Sequence, residues 1–349
     1  MRKLAWSVIT GGIVAAALGA QAVLSQSPQA TAPQPAAQPP AQQQPQIRVT
    51  ADFVSMVFAV VNRRQRFITD LARENFKVFE DDKEQKIELF SRETDLPLRV
   101  GLLLDTSNSI RARFTFEQEA AQDFFHNTLR RRRDLGFLMI FDNEPSIVQE
   151  FTDDAGRLGE TVRKQRPGGG TALYDAVYMA CKERLATAPL APGDNPDVRR
   201  ILVVISDGDD SLSDRSRREA LEMAQKAEVS IYTISTSRDW LTAPTEGNKP
   251  HKYHMTDGDK MLEELAEETG GKAFFPYKLD DLAQSFQDIG IELRSQYSLG
   301  YAPTNRDATP GKFRKIRVEV DRKGLQVRGR RGYFVPRLGG AVPAAVPIK

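Results

Sequence analysis

A chain of 349 residues with 40% hydrophobic side chains can bury one sizeable core and a smaller satellite, which excludes disorder throughout. Arg2 and Lys3 are the only charged side chains before Arg48, and setting them aside reduces 49 basic residues to 47 against 47 acidic ones. That balance excludes nucleic-acid binding by bulk charge. Cys181 is the single cysteine, so no intrachain disulfide can form, and its apolar neighbours place it as a buried helical residue rather than a reactive thiol.

Residues 1–22 carry a basic start, an apolar core from Val8 to Leu18 and the small-residue ending Ala20-Gln21-Ala22, the pattern of a secretory signal peptide. The core is shorter than a comfortable membrane span and has no cysteine beside it for lipid attachment. Export to the periplasm or the cell exterior is expected, with membrane contact only through this segment if it stays uncleaved as an anchor. Residues 23–46 are mostly Pro, Gln and Ala without a charge, too poor in large apolar side chains to offset the entropy of ordering, and read as a linker.

Residues 47–97 read as short strands joined by turns. Arg48-Val49-Thr50, Val54 to Val61, Phe76-Lys77-Val78-Phe79 and Ile87 to Phe90 are strand-like, and Asn62-Arg63-Arg64-Gln65 and Glu80-Asp81-Asp82-Lys83 are turns.

The pattern changes at residue 98. Val100-Gly101-Leu102-Leu103-Leu104 is a continuous apolar run, the mark of a strand buried on both faces, and it stops at Asp105-Thr106-Ser107-Asn108-Ser109. In open α/β sheets ligands bind at the C-terminal ends of such strands. Asp105, Ser107 and Ser109 stand at every second residue, a spacing at which a loop can wrap hard oxygen ligands around a small cation such as Mg²⁺. A helix from Phe114 to Leu129 follows, ending in four arginines, Arg130 to Arg133, which are expected to complement the helix dipole and stay solvated. Leu135 to Phe141 is a strand, Ser146 to Phe151 an edge strand hairpinned to it, and Gly156 to Lys164 a helix. Gly168-Gly169-Gly170-Thr171 opens a further helix to Leu185. Arg200 to Ile205 is a second buried strand, ending in Ser206-Asp207-Gly208.

Beyond it come a helix from Arg217 to Ala227, a strand from Val229 to Ser235 and a long stretch from Thr236 to Gly258 without a periodic pattern. Carrying Trp240 and Tyr253, with Pro244 and Pro250, that loop is expected to rim a partner site on the same face as Asp105. A helix from Met261 to Thr269, a strand from Ala273 to Phe275 and a helix from Asp280 to Arg294 complete residues 98–295. The alternation of strand and helix predicts an α/β fold with a doubly wound, mostly parallel sheet.

Residues 296–336 return to β character, with strands at Gln296 to Tyr301, Phe313 to Val320, Leu325-Gln326-Val327 and Tyr333-Phe334-Val335. The second turns Ile316, Val318 and Val320 inward and Arg317 and Glu319 outward. They and residues 47–97 are each too small to stand alone, so the two flanking segments are expected to pack as one small β unit, with 337–349 as a tail.

The D-x-S-x-S loop, the later Gly-Gly-Thr and the strand-terminal Ser-Asp-Gly resemble a von Willebrand factor type A domain, a Rossmann-like A-type fold. The whole layout resembles the bacterial secreted proteins related to it. The resemblance implies a metal-ion-dependent adhesion site whose ligands are Asp105, Ser107, Ser109, Thr171 and Asp207, holding Mg²⁺ or Mn²⁺. Two carboxylates and three neutral hydroxyls leave a divalent ion coordinated but poorly compensated beyond its own shell, so such a site is expected to favour an outside carboxylate from a protein partner as a further ligand.

Enzyme signatures are absent: there is no G-x-x-x-x-G-K-[ST] loop, no G-x-S-x-G elbow and no H-E-x-x-H helix. The expectation is a non-enzymatic protein-binding module for adhesion or assembly. An envelope scaffolding factor acting without metal and a metal-assisted hydrolase with Asp142 as base are the competing classes. His251 and His254 lack an evident third ligand for zinc, and Asp209 and Asp210 read as solvated turn acids.

Overall fold

The computed structural model describes residues 53–92, 96–111, 113–190, 198–237, 254–276, 279–305 and 309–335. The signal-like segment, the linker, Arg48-Val49-Thr50, residues 238–253 and the tail lie outside them.

Alternating sequence and continuous apolar sequence become two kinds of sheet. Four strands precede the long apolar run: β1 (Val54–Asn62), β2 (Phe76–Glu80), β3 (Lys83–Gln85) and β4 (Leu89–Ser91). The run itself is β5 (Leu98–Asp105), buried along its whole length. It is followed by β6 (Leu135–Phe141), β7 (Pro145–Thr152), β8 (Arg199–Ser206), β9 (Val229–Ser235) and β10 (Ala273–Phe274). These six form one sheet in the order β10-β9-β8-β5-β6-β7, parallel except for the antiparallel edge strand β7.

Because β5 has β6 on one side and β8 on the other, the chain leaves β5 in one direction and returns to its opposite flank. The C-terminal ends of β5 and β8 therefore border the crevice where the strand order reverses. Helices cover both faces. Val100, Leu102 and Leu104 pack with Phe124 and Phe125 of α1 (Phe114–Thr128), Leu158 of α2 (Ala155–Lys164) and Phe286 and Ile289 of the last helix. Leu103 points the other way, towards Leu173 and Val177 of α3 (Leu173–Met179), Ala220 and Ala224 of α4 (Arg217–Lys226) and Leu262 and Leu265 of α5 (Asp257–Thr269). The last helix is α6 (Leu279–Arg294). Each buried aliphatic side chain of these layers contributes roughly 2 kcal/mol.

Two helices differ from the sequence reading by more than one residue at an end. The helix expected from Thr171 begins at Leu173, leaving Thr171 in the preceding loop, and its final residues, Ala180–Leu185, form a π-helical turn that holds Cys181 buried. The helix expected at Met261 begins at Asp257. Thr256 and Asp259 cap it reciprocally, Asp259 N donating to Thr256 Oγ1 (3.0 Å) and Thr256 N to Asp259 Oδ2 (2.9 Å).

The flanking segments pair across the length of the chain. β11 (Tyr297–Tyr301), β12 (Phe313–Val320), β13 (Leu325–Gly329) and β14 (Gly332–Phe334) join the first four strands in two antiparallel sheets, β13-β1-β11-β4 and β14-β12-β2-β3. Val54 lies opposite Tyr301, and Val78 opposite Val318. Phe58, Phe76, Phe90 and Tyr297 form the aromatic centre of this β unit. The inward face of β12 also carries Arg314, paired with buried Glu80 at 2.7 Å. Tyr301 and Tyr333 hydroxyls complete that carboxylate at 2.9 and 3.0 Å.

Arginines fasten the β unit to the α/β layers. Arg328 meets buried Glu292 at 3.0 Å, Arg330 meets Glu228 at 2.7 Å, and Arg331 meets Glu267 at 2.9 Å and Glu268 at 2.6 Å.

Candidate metal centre

Asp105 is the last residue of β5 and is fully buried. Both its oxygens are oriented: Oδ1 accepts from Ser107 N (2.8 Å) and Oδ2 from the Ser206 hydroxyl at the end of β8 (2.8 Å). The hydroxyls of Ser107 and Ser109 lie 2.9 Å apart, so the alternate spacing of the loop turns both oxygens the same way.

The glycine loop is laced to this one through the backbone. Gly168 N donates to Thr106 O (2.6 Å), Asn108 N to Gly169 O (3.2 Å) and Gly170 N to Asn143 Oδ1 (2.8 Å). Gly169 has φ +89°, and a side chain there would come within 3.0 Å of the Asp142 Cβ, so the close approach of the glycine loop to the Asp142-Asn143 turn after β6 favours glycine there. The same loop leads into Thr171, which is buried and whose carbonyl accepts from Ser211 N (2.9 Å) and Leu212 N (3.0 Å), joining the glycine loop to the turn after Asp207.

Asp207 follows β8, and its Oδ1 accepts from Asp209 N (3.2 Å). Gly208 has φ +84°, and a Cβ there would lie 2.3 Å from Gly258 O, so the turn can pass the start of α5 only without a side chain. Asp209 is exposed. Asp210 is more than a solvated turn acid: its Oδ2 accepts from Tyr174 N (3.0 Å) and from the Ser213 hydroxyl (2.6 Å), tying the turn to the start of α3. Asp142 lies after β6, where its carbonyl accepts from Ala172 N (2.8 Å). His254 is exposed, and His251 is outside the described residues.

The fold thus carries Asp105, Ser107, Ser109, Thr171 and Asp207 on three loops at one edge of the sheet. Hydrogen bonds between side chains join Ser107 to Ser109. Asp207 acts on Asp105 through its charge, and Thr171 is placed by its backbone.

Acids dominate the electrostatics here. Burial pushes the Asp105 carboxyl up to about 6; hydrogen bonds from Ser107 and Ser206 oppose the rise, and the neighbouring charge of Asp207 adds to it. Glu117 in the first turn of α1 is pushed up to about 8 by burial, against the pull of Arg113 and with the help of Asp105 and Asp207. Asp209, though exposed as a residue, is also raised, by partial desolvation of its carboxyl and then by Asp207, Asp259 and Asp257.

The donor set fits a hard divalent cation, which prefers carboxylate and hydroxyl oxygens and would relieve this crowding of negative charge. Among the described residues no group of three or more His, Cys, Asp or Glu side chains is arranged to hold a metal. Two residues that bear on this edge escape sequence reasoning. Ser206 was visible as part of Ser-Asp-Gly, but its bond to Asp105 needs β8 beside β5. Glu117 reads as one more acid on an amphipathic helix.

A doubly wound α/β domain with oxygen donors at its switch point is the class that fold and site define. Residues 100–209 match the von Willebrand factor type A domain family, and the chain carries such a domain. A UPF0353 protein of Mycolicibacterium gilvum is 27% identical over 228 residues, 62% of this chain and 64% of that protein, so the alignment leaves over a third of the relative unmatched. A von Willebrand factor type A structure from Catenulispora acidiphila is similar over 83% of this chain and 77% of its own, at 11% identity and a TM-score of 0.45. Proximal thread matrix protein 1 from the mussel byssus, solved with a zinc-occupied MIDAS motif, is similar over 62% of this chain and 50% of its own, at 14% identity and a TM-score of 0.46.

Proposed function

We propose that this protein is a non-enzymatic, metal-ion-dependent protein-binding module, serving adhesion or assembly outside the cytoplasm. Mg²⁺ or Mn²⁺ would be held by Asp105, Ser107, Ser109, Thr171 and Asp207. The observation that carries the reading is Asp105 itself: a fully buried carboxylate at the switch point, oriented by Ser107 N and Ser206, beside the paired hydroxyls of Ser107 and Ser109. The cation, when bound, supplies a Lewis-acidic position open to one further oxygen ligand.

What this chain's residues do follows from their bonds. Ser206 and Ser107 N fix the direction of the Asp105 oxygens, so little reorganisation is needed when the site is used. The Thr171 carbonyl, gripped by Ser211 and Leu212, keeps the glycine loop in register with the Asp207 turn. Five oxygen ligands leave a six-coordinate divalent ion one position to fill, and a carboxylate side chain of a partner protein is a hard oxygen donor suited to it, so the partner is a protein presenting an acidic group. The signal-like N-terminus supports export, and among the described residues no helix is long and apolar enough to cross a membrane.

Calorimetric titration with Mg²⁺ tests the site. The full chain is expected to bind one ion, and Asp105→Ala and Asp207→Ala to lose that binding. Variants that bind Mg²⁺ as tightly as the natural protein overturn the assignment. Pull-down from an envelope extract with and without chelator then tests the partner.

A further inference from the structure

Glu117 is 1% exposed, and neither of its carboxyl oxygens has a hydrogen-bond partner among the described residues. A lone acid in such a place costs several kcal/mol if ionised, and glutamine or leucine would fill the same space without that cost. Its helix partner one turn back, Arg113, does not cancel it by contact: the guanidinium Nη1 of Arg113 donates to Ser237 O (3.0 Å) just beyond β9. The charged groups that bear on Glu117 are Arg113 on its own helix, Asp105 at the end of β5 and Asp207 after β8. Two of these three are the carboxylates of the metal centre, and α1 begins directly after the loop that carries Ser107 and Ser109.

We infer that Glu117, buried and unbonded in the first turn of the helix that follows the serine loop, serves the metal centre: it takes no ligand position, but its carboxylate adds to the negative charge of Asp105 and Asp207, so that the site holds a divalent cation more tightly than its two ligand carboxylates would alone. This rests on the reading of the Asp105 edge as a metal site. A buried charge that bears on the ligand carboxylates acts through a medium that screens weakly, and its attraction for a doubly charged ion exceeds what it exerts on any single side chain. Without the ion, the same carboxyl is a burden on the fold. Glu117 is thus a positioning residue of charge, which trades stability of the metal-free protein for affinity.

The two effects have opposite signs, which separates this role from a structural one. The full chain, freed of metal with chelator, is titrated with Mg²⁺ and with Mn²⁺ by calorimetry at pH 8 and melted with and without the ions, alongside Glu117→Gln and Glu117→Leu. Both variants are expected to melt at or above the temperature of the natural metal-free protein, to bind Mg²⁺ about tenfold more weakly, and to gain less from it on melting. Equal affinity in natural protein and Glu117→Gln overturns the inference alone. So does a Gln variant whose metal-free stability falls together with its affinity, because that is the behaviour of a packing residue. A natural protein that binds neither ion overturns the metal site, and this inference with it.

Discussion

The two ends of the central sheet hold buried acids in opposite ways. At the N-terminal edge Asp134 is fully buried, and its carboxylate accepts from Leu98 N (2.8 Å), from Arg130 N and Nε (both 2.9 Å) and from Arg294 Nη2 (3.0 Å). Burial alone would raise it, but the donors of Arg130, Leu98 and Arg294 outweigh burial and hold the carboxyl below its usual range. At the C-terminal edge Asp105 and Glu117 are buried as well, and among the described residues no arginine is bonded to either carboxylate; both are pushed upward. An acid that serves the fold is surrounded by donors. In the proposed metal site an acid without a cationic donor would be held ready for a charge that arrives from outside.

The largest test of this contrast is Asp134→Ala. Removing the acid leaves Arg130 and Arg294 without their carboxylate and the Leu98 amide without its acceptor, at an expected cost of about 3 kcal/mol in urea unfolding. Mg²⁺ affinity is expected to stay unchanged, because the residue stands at the far edge. A variant that loses Mg²⁺ binding while keeping its stability would break the comparison.

A smaller effect, with the opposite sign, is expected at Asp105. Asp105 and Glu117 have folded values of about 6 and about 8 against ordinary values of 3.8 and 4.5. Their contribution to stability is therefore complete below about pH 4 and is lost as pH rises through about 6 and then about 8. Asp134 runs the other way: its contribution is present above 3.8 and lost as pH falls through its lower folded value. The metal-free protein should accordingly be most stable in mildly acidic solution, with melting temperatures falling between about pH 5 and pH 8. Asp105→Asn should flatten the lower part of that decline and raise metal-free stability at pH 7.5 by about 1–2 kcal/mol, while abolishing stabilisation by Mg²⁺. A melting temperature that rises steadily from pH 5 to pH 8 in chelator would contradict it.

The smallest effect is expected where charges pair in the open. Arg331 bridges Glu267 and Glu268 with all three side chains partly exposed, so Arg331→Ala should cost under about 1 kcal/mol and respond to salt. A cost comparable to that of Asp134→Ala would show that the β unit is fastened more strongly by its rim than this comparison allows.

Strand by strand, the parallel sheet was legible because a strand covered on both faces must be apolar along its length. The runs ending at Asp105 and at Ser206 were therefore conspicuous, and the polar residues after them marked the loops. The arginines after α1 were less legible. Arg130 pairs with Asp134, and the carbonyl of Arg133 accepts from buried Arg99 (3.0 Å), so part of that run is used inside the protein rather than solvated. Arg314 follows the inward phase of β12 like Ile316, yet a sequence pattern that sorts residues by polarity cannot place an arginine inside without knowing that Glu80 waits opposite.

By itself the sequence determined the order of elements, the class of sheet and the loops that carry oxygen donors, because these depend on local periodicity and on where apolar runs stop. Only the tertiary structure decided which strands are neighbours: β8 beside β5 brings Ser206 to Asp105, and β1 between β11 and β13 closes the β unit across more than two hundred residues. It also decided which acids are satisfied. Asp134 and Glu117 each have an arginine four residues before them, but Arg130 bonds Asp134 while Arg113 donates to Ser237 O, and the donors Leu98 and Arg294 come to Asp134 from far along the chain.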